Sequence, residues 1–516
     1  MTRLKLPCLG KKNMEIKWNK IDYENINTFR YRPIGNKYLL VNEIGGFVYL
    51  EKNDFRSFLD GKLEKESEPY KELATNNFLK NEQDWDAIIE NYRSKAGYLL
   101  WGPSLHIVVV TLKCNHNCIY CHASAQDQHD NKFDMDKATA DKTLDTIFDS
   151  TCPFAAIEFQ GGEPLLNLPI VKYIIEESRK RNKKHNKELE LRLVTNGSLL
   201  NDELFDYLLD NKVSLCLSFD GPKELHDKNR PYVGGSSYDN VIKWLKRFNE
   251  EYPKLQDKGY IWRIGTSLTV TRNTLSMYKE LVDEYIEQGM NRIYLRYLNP
   301  FGFSQDSWLS ISYGVEDFLE FYRNTMDYII ELNLKGTEMM ERFSLVFLTK
   351  ILSKYEPNHL DFRSPCGAGI GQMAYNYNGD VYTCDEGRML SMMGDESFKL
   401  GNVNKNSYED FVLSPVTRSL CTASCLDGLA GCADCIYKPY CGVCPLYNYF
   451  EQGSIFSQMT NSERCKLTMG TMDYLFEKLQ DEKARGVLEK WVEKDVEKMQ
   501  EQNHPDLFAT DYPATC

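Results

Sequence analysis

The sequence predicts an α/β protein built around a partial (β/α)6 TIM barrel, and two observations carry this. From Leu105 to about Asn333, six β-rich apolar runs (LHIVVVTL, AAIEFQ, LELRLVT, VSLCLSF, IWRIGTSLTV, RIYLRYL) alternate with amphipathic stretches such as LPIVKYIIEESRKR and YDNVIKWLKRFNEEY. Buried-looking strands between helices indicate a parallel sheet, and six repeats suit an open barrel rather than the closed eight. The second observation is a cysteine-bearing loop directly after the first run, at the strand end where such folds gather their chemistry.

In chain order, residues 1–100 read as a small separate module. YRPIGNKYLLVN and GGFVYLE are two strands around the Gly45-Gly46 turn, followed by the helical DFRSFLDGKL and PYKELATNNFLK. The barrel is expected over 101–340. A region rich in Cys, Gly and turn residues fills 341–470, and a charged helical tail (TMDYLFEKLQDEKARGVLEKWVEKDVEKMQEQ) lies within 471–516. The 516 residues suit more than one domain. With 42% hydrophobic and 27% charged residues there is material for sizeable cores, and disorder is excluded as a class. A net charge of −13 argues against broad nucleic-acid or anionic-membrane binding. No run approaches the ~18 apolar residues of a membrane span, and MTRLKLPCLGKKNMEIKW lacks the apolar core of a secretory signal. The expected location is the cytoplasm. Thiols stay reduced there, so 16 clustered cysteines point to metal or redox chemistry rather than disulfides.

The first cluster is Cys114-Asn-His-Asn-Cys118-Ile-Tyr-Cys121. Three thiolates on one loop can bind three irons of a 4Fe-4S cubane and leave the fourth open to an outside ligand. The alternative is a structural zinc loop with His116 or His122 as fourth ligand. The C-x3-C-x2-C loop after a first barrel strand resembles the radical S-adenosylmethionine (SAM) superfamily. That resemblance implies SAM on the open iron and a 5′-deoxyadenosyl radical that abstracts hydrogen from unactivated carbon.

Later strand ends add cofactor-binding candidates. In Gln160-Gly161-Gly162-Glu163-Pro164, Gly161 and Gly162 let the backbone approach a ligand closely and Glu163 can accept from an ammonium, which the resemblance identifies as the SAM amino group. Asn196 closes the third strand, and Ser218 and Arg230 are candidates for the SAM carboxylate. Tyr120 and the Arg296-Tyr297 pair are candidates to pack against adenine.

A second cysteine field runs C-x12-G-x4-C across Cys366, Gly379 and Cys384, then Cys432-x2-Cys435-x5-Cys441-x2-Cys444, and finally Cys465. It resembles the SPASM extension of peptide-modifying radical SAM enzymes, apart from x2 in place of x3 before Cys444. The resemblance implies two auxiliary 4Fe-4S clusters, three clusters in all. Cys432, Cys435, Cys441 and Cys465 would hold the outer one, and Cys366, Cys384 and Cys444 would give three ligands to the inner one. The inner cluster then keeps an open iron or recruits Cys421 or Cys425. One or two zinc-ribbon sites are the alternative for the paired C-x2-C units. Cys8, Cys152, Cys216 and Cys516 have no partner spacing. Asp385, directly after Cys384, occupies the position of a catalytic base in sulfatase-maturing relatives; the alternative is a structural ion pair with Arg388.

TLKCNHNCIYCHAS, EFQGGEPLLN, LRYLNPFGF, AYNYNGDVYTCDEGRML and GCADCIYKPYCGVCPLYNY together resemble the maturases of His-Xaa-Ser peptide systems. The N-terminal module is similar to the winged-helix element that holds a precursor's leader peptide, where an added strand would bind through backbone hydrogen bonds. The expected function is hydrogen abstraction from a ribosomally synthesised precursor peptide and formation of a carbon-carbon or thioether crosslink, with an electron donor such as flavodoxin or ferredoxin. The alternatives are formylglycine-type oxidation of a Cys or Ser in a sulfatase-like protein, and a non-catalytic zinc or redox binding protein.

Overall fold

The structure is a computed structural model that describes residues 21–22, 24–257, 260, 263–357 and 359–500. Cys8, Cys516 and tail residues 501–516 lie outside these. The chain divides into two compact units, Met1–Trp85 and Asp86–Cys516. The helix Trp85–Ala96, which the sequence places with the N-terminal module, therefore clusters almost wholly with the larger unit.

The smaller unit carries β1 (Phe29–Ile34), β2 (Lys37–Asn42) and β3 (Phe47–Leu50), an antiparallel sheet in that order, and the helices Lys52–Leu59 and Glu68–Thr75. The sequence suggests two strands here and the structure has three. The two-residue Gly35-Asn36 turn, with Gly35 at φ +59°, folds the first segment back so that Ile34 faces Lys37. Leu40, Val48 and Leu50 close the core against Phe55, Phe58, Leu73 and Phe78.

In the larger unit β4 (Leu105–Thr111), β5 (Phe154–Gly161), β6 (Glu188–Thr195), β7 (Val213–Ser218) and β8 (Gly265–Ser267) form a parallel array in the order β8-β7-β6-β5-β4. Helices Lys137–Asp149, Leu168–His185, Asp202–Asp210 and Ser237–Asp257 lie between successive strands. Two start at clear caps: Asp136 accepts from the Thr139 amide at 2.7 Å and Asn201 from the Leu204 amide at 2.8 Å. Every β4 residue is buried, as expected for a strand covered on both faces.

The sixth run departs from expectation. Only Arg292–Ile293 is a strand, and it pairs with Met340–Glu341 instead of β8. Its following backbone is satisfied by side chains: the Leu295 amide donates to Glu341 Oε1 at 3.1 Å and the Leu298 amide to Tyr313 Oη at 3.0 Å. The sixth parallel strand is instead β9 (Gln372–Tyr375), from the cysteine-rich region, paired with β4. The antiparallel β10 (Asp380–Tyr382) and β11 (Lys399–Asn402) extend it to an eight-stranded mixed sheet. The tail forms helices Glu463–Lys478 and Glu482–Gln500, with Leu475, Phe476, Leu488 and Trp491 buried against Val315–Leu334 and Arg342–Leu352. Among the described residues no helix is long and apolar enough to cross a membrane.

Candidate active site

β4 runs into the cysteine loop, whose stem, Lys113–Cys114, pairs with Gln126–Asp127. The chain after β7 holds the loop: Asn117 donates to the Pro231 carbonyl at 2.9 Å, Ile119 to the Asn229 carbonyl at 3.0 Å, and His116 stacks on Tyr232 with ring centroids 4.5 Å apart. Burial pushes the Cys118 thiol up to about 12, with Arg230 opposing and Cys121 adding; Cys114 is also raised, by burial and then by Cys118. Thiols grouped on one loop, with Cys114 and Cys118 desolvated, fit a cation-rich group that would hold them ionised. Among the described residues no three His, Cys, Asp or Glu side chains converge as ligands of a single ion do. A cubane places each thiolate on a different iron.

The two glycines of the Gly161-Gly162-Glu163 segment serve a purpose the sequence did not suggest. A Cβ at Gly161 would lie 2.0 Å from the Thr111 carbonyl oxygen, and one at Gly162 would lie 2.2 Å from that of Lys113. The room they create is taken by the stem of the cysteine loop rather than left for a ligand. Gly162 donates to the Thr111 carbonyl at 2.9 Å and Glu163 to that of Lys113 at 2.7 Å. The buried Glu163 carboxylate accepts from Thr195 Oγ1 and the Asn196 amide, each at 2.8 Å, and from the Leu165 amide at 3.1 Å. Burial pushes this carboxyl up to about 7, against the three donors that favour its ionised form. Asn196 reaches the loop itself, its Nδ2 donating to Asn115 Oδ1 at 2.9 Å.

Arg230 and Tyr120 meet, but on a buried acid. Arg230 donates from Nε and Nη2 to Asp220 at 3.1 and 3.2 Å, Tyr120 donates to Asp220 Oδ2 at 2.5 Å, and the guanidinium lies 5.2 Å from the Tyr120 ring centroid. The Tyr120 ring packs with Leu298 and Ile311, so the residue suggested for adenine is part of the core. Ser218 sits at the end of β7, opposite Ser267. Arg296 lines a cavity with Tyr297, and after burial its charge and that of Arg230 hold the His122 imidazole down.

Asp220 is the residue sequence reasoning left without a role, and it anchors a directed chain of hydrogen bonds. Its amide can only donate, so His226 Nδ1 accepts at 3.2 Å and its Nε2 carries the hydrogen toward Ser237 Oγ at 3.0 Å. Ser237 passes its own hydrogen to His116 Nε2 at 3.0 Å, leaving His116 Nδ1 to donate to Asn115 Oδ1, also at 3.0 Å. An acid beside Gly-Pro and a histidine six residues on were legible; their partners, across a loop and a helix, were not.

The second cysteine field divides into two groups. Cys432, Cys441 and Cys465 pack on Leu426, Leu429, Val443 and Met459. Burial raises Cys441 first, and Cys435, Cys432 and Cys465 each add to it, so the four thiols are neighbours. Cys366, Cys384 and Cys444 line the cavity that also holds Arg296 and Tyr297. Burial raises Cys384, and Glu386, Cys444 and Cys366 reinforce the shift. The shortened x2 interval therefore still delivers Cys444 beside Cys366 and Cys384. Cys421 and Cys425, on and just after the helix Pro415–Ser424, are not among the cavity's lining residues. Asp385 opens the helix Asp385–Met392 and lines the cavity, and its Oδ1 accepts from Arg388 Nε at 2.7 Å.

A barrel-end thiol loop and a cavity that more thiols line define a class, an α/β enzyme organised around cysteine-held groups. Residues 108–258 match the Radical SAM superfamily, so the chain carries a radical SAM domain and is an enzyme. It is similar to the cysteine-type anaerobic sulfatase-maturating enzyme of Clostridium perfringens (strain 13 / Type A), 27% identical over 300 residues that cover 55% of this chain and 74% of that protein. It is also similar to the antilisterial bacteriocin subtilosin biosynthesis protein AlbA of Bacillus subtilis (strain 168), 24% identical over 345 residues covering 65% and 66%. Among solved structures, native anSMEcpe with bound AdoMet shares the fold at a TM-score of 0.61 and 21% identity, over 74% of this chain and 100% of that one. Relatives of this chain thus include a sulfatase-maturating enzyme and a bacteriocin biosynthesis protein.

Proposed function

We propose that this enzyme modifies a ribosomally synthesised precursor peptide, abstracting hydrogen from one residue and joining that carbon to another atom in a carbon-carbon or thioether crosslink. The observation that carries this reading is the cavity in which barrel residues Arg296, Tyr297 and Asn299 face Cys366, Cys384 and Cys444. A peptide side chain there lies between the barrel end and an auxiliary thiol site. Cys114, Cys118 and Cys121 hold a 4Fe-4S cluster with SAM as its outside ligand, and the other two thiol groups hold auxiliary clusters. When bound, SAM and reduced iron-sulfur supply the one-electron chemistry that removes hydrogen from unactivated carbon.

The chain's own residues prepare that chemistry. Glu163 and Asn196 brace the cysteine loop through the bonds described above, and they face the SAM amino end with Gly161 and Gly162 setting the close approach of the stem. Ser218 receives the SAM carboxylate, while Arg230 positions the loop through Asp220 and Tyr120. The N-terminal unit presents β1 and β3 as its two sheet edges, either of which can accept a leader peptide as an added strand. A flavodoxin or ferredoxin supplies electrons.

Sulfatase-type oxidation to formylglycine is the second reading, favoured by Asp385 directly after Cys384 on the cavity wall. In that reaction Asp385 takes the substrate proton on Oδ2, while Oδ1 accepts from Arg388. Anaerobic incubation with the co-encoded short peptide separates the readings. Loss of two hydrogens between residues that stay linked on fragmentation, with 5′-deoxyadenosine formed, supports the crosslink. An unchanged peptide with SAM consumed rejects the crosslink, and formylglycine formed in a Cys- or Ser-bearing sulfatase-type peptide incubated in parallel supports the second reading.

A further inference from the structure

We propose that Glu386 completes the inner auxiliary cluster as its fourth ligand, a carboxylate where a fourth thiolate would otherwise stand. This rests on the reading of Cys366, Cys384 and Cys444 as that cluster's thiolates. Three thiols line the cavity, and a cubane has four irons to satisfy. Neither spare cysteine, Cys421 nor Cys425, is among the residues that line the cavity. Among the carboxylates that do, Asp385 is held by Arg388 at 2.7 Å, and Asp361 is shared between His359 at 3.2 Å and Arg464 at 2.7 Å.

Glu386 differs from both. It lies in the first turn of the helix that begins after Cys384, two residues from that ligand, and lines the cavity with it. No ion pair forms with it among the described residues, and it shares the cavity wall with Asp361 and Asp385, whose cation partners are Arg464 and Arg388. A carboxylate on the cavity wall with no ion pair of its own is open to a metal partner. An iron at the vertex the three thiolates leave open supplies that partner, and a cluster built this way has one chemically distinct iron.

The test uses the full chain with Cys114, Cys118 and Cys121 changed to Ala, so that only the auxiliary clusters are observed. After anaerobic reconstitution, iron, sulfide, EPR spectra and redox titrations are recorded for this background and for Glu386→Ala and Glu386→Cys within it. We expect Glu386→Ala to lose one iron on mild oxidation and show a three-iron EPR signal absent from the background. Glu386→Cys should restore four irons with a lower midpoint potential for one cluster only, as a softer and more electron-donating thiolate requires. Spectra and potentials unchanged in both variants overturn the proposal, as does an added small thiol perturbing the background as strongly as Glu386→Ala. A Cys384→Ala variant that keeps all its auxiliary iron overturns the inner-cluster reading itself, a separate outcome. Matched melting curves show that Glu386→Ala still folds.

Discussion

Arg230 donates from Nε to the buried carboxylate of Asp220 at 3.1 Å, which makes a guanidinium suited to ligand recognition part of the frame that carries the cysteine loop. Removing one partner leaves the other charge buried and uncompensated. Asp220→Asn should lower the unfolding free energy by about 3–5 kcal/mol in urea titrations. The double change Asp220→Asn with Arg230→Gln should recover most of that loss, and additive losses would show that the pair is not coupled.

The Gly162 position tests the link between the second strand end and the loop. A methyl there meets the Lys113 carbonyl oxygen at 2.2 Å, a backbone atom that cannot yield without moving the stem of Cys114. Gly162→Ala should therefore lose the iron held by the first loop while keeping the auxiliary iron, read by iron analysis after reconstitution.

The thiol groups predict separable metal content. With about twelve irons expected for three cubanes, Cys432→Ala and Cys384→Ala should each remove up to about four. The combination should leave about four. Zinc in place of iron and sulfide in the purified protein would contradict the cluster assignment.

His226 predicts the acid side of the stability profile. Burial holds its imidazole down at about 4, below its ordinary 6.5, so the unfolded chain binds a proton that the folded chain refuses. Stability is then fully present above about 6.5 and is lost as pH falls through about 4. The loss is on the order of 3 kcal/mol. His226→Asn, which keeps an acceptor for the Asp220 amide, should flatten that slope in denaturation measured from pH 7 to pH 4.

The barrel strands were legible because a strand covered on both faces must be apolar nearly throughout, and β4 to β7 fall on the runs that show it. The sixth run carried the same pattern and failed as a sheet strand because Glu341 and Tyr313, distant in sequence, claim its amides. Asp385 was legible as both a base and an ion-pair partner of Arg388, and the structure forms the pair.

What the sequence determined by itself is the local chemistry: a three-thiol loop at a strand end, a second cysteine field, and a resemblance to radical SAM enzymes that the match over residues 108–258 bears out. Spacing along the chain is enough there, because ligands on one loop are placed by a few backbone angles. Only the tertiary structure decided that Cys444 joins Cys366 and Cys384, that Gly161 and Gly162 make room for backbone, that Arg230 serves Asp220, and that β9 completes the parallel array. Each of these pairings is set by packing between segments far apart in sequence, where burial obliges every charge and amide to find the partner that the fold brings to it.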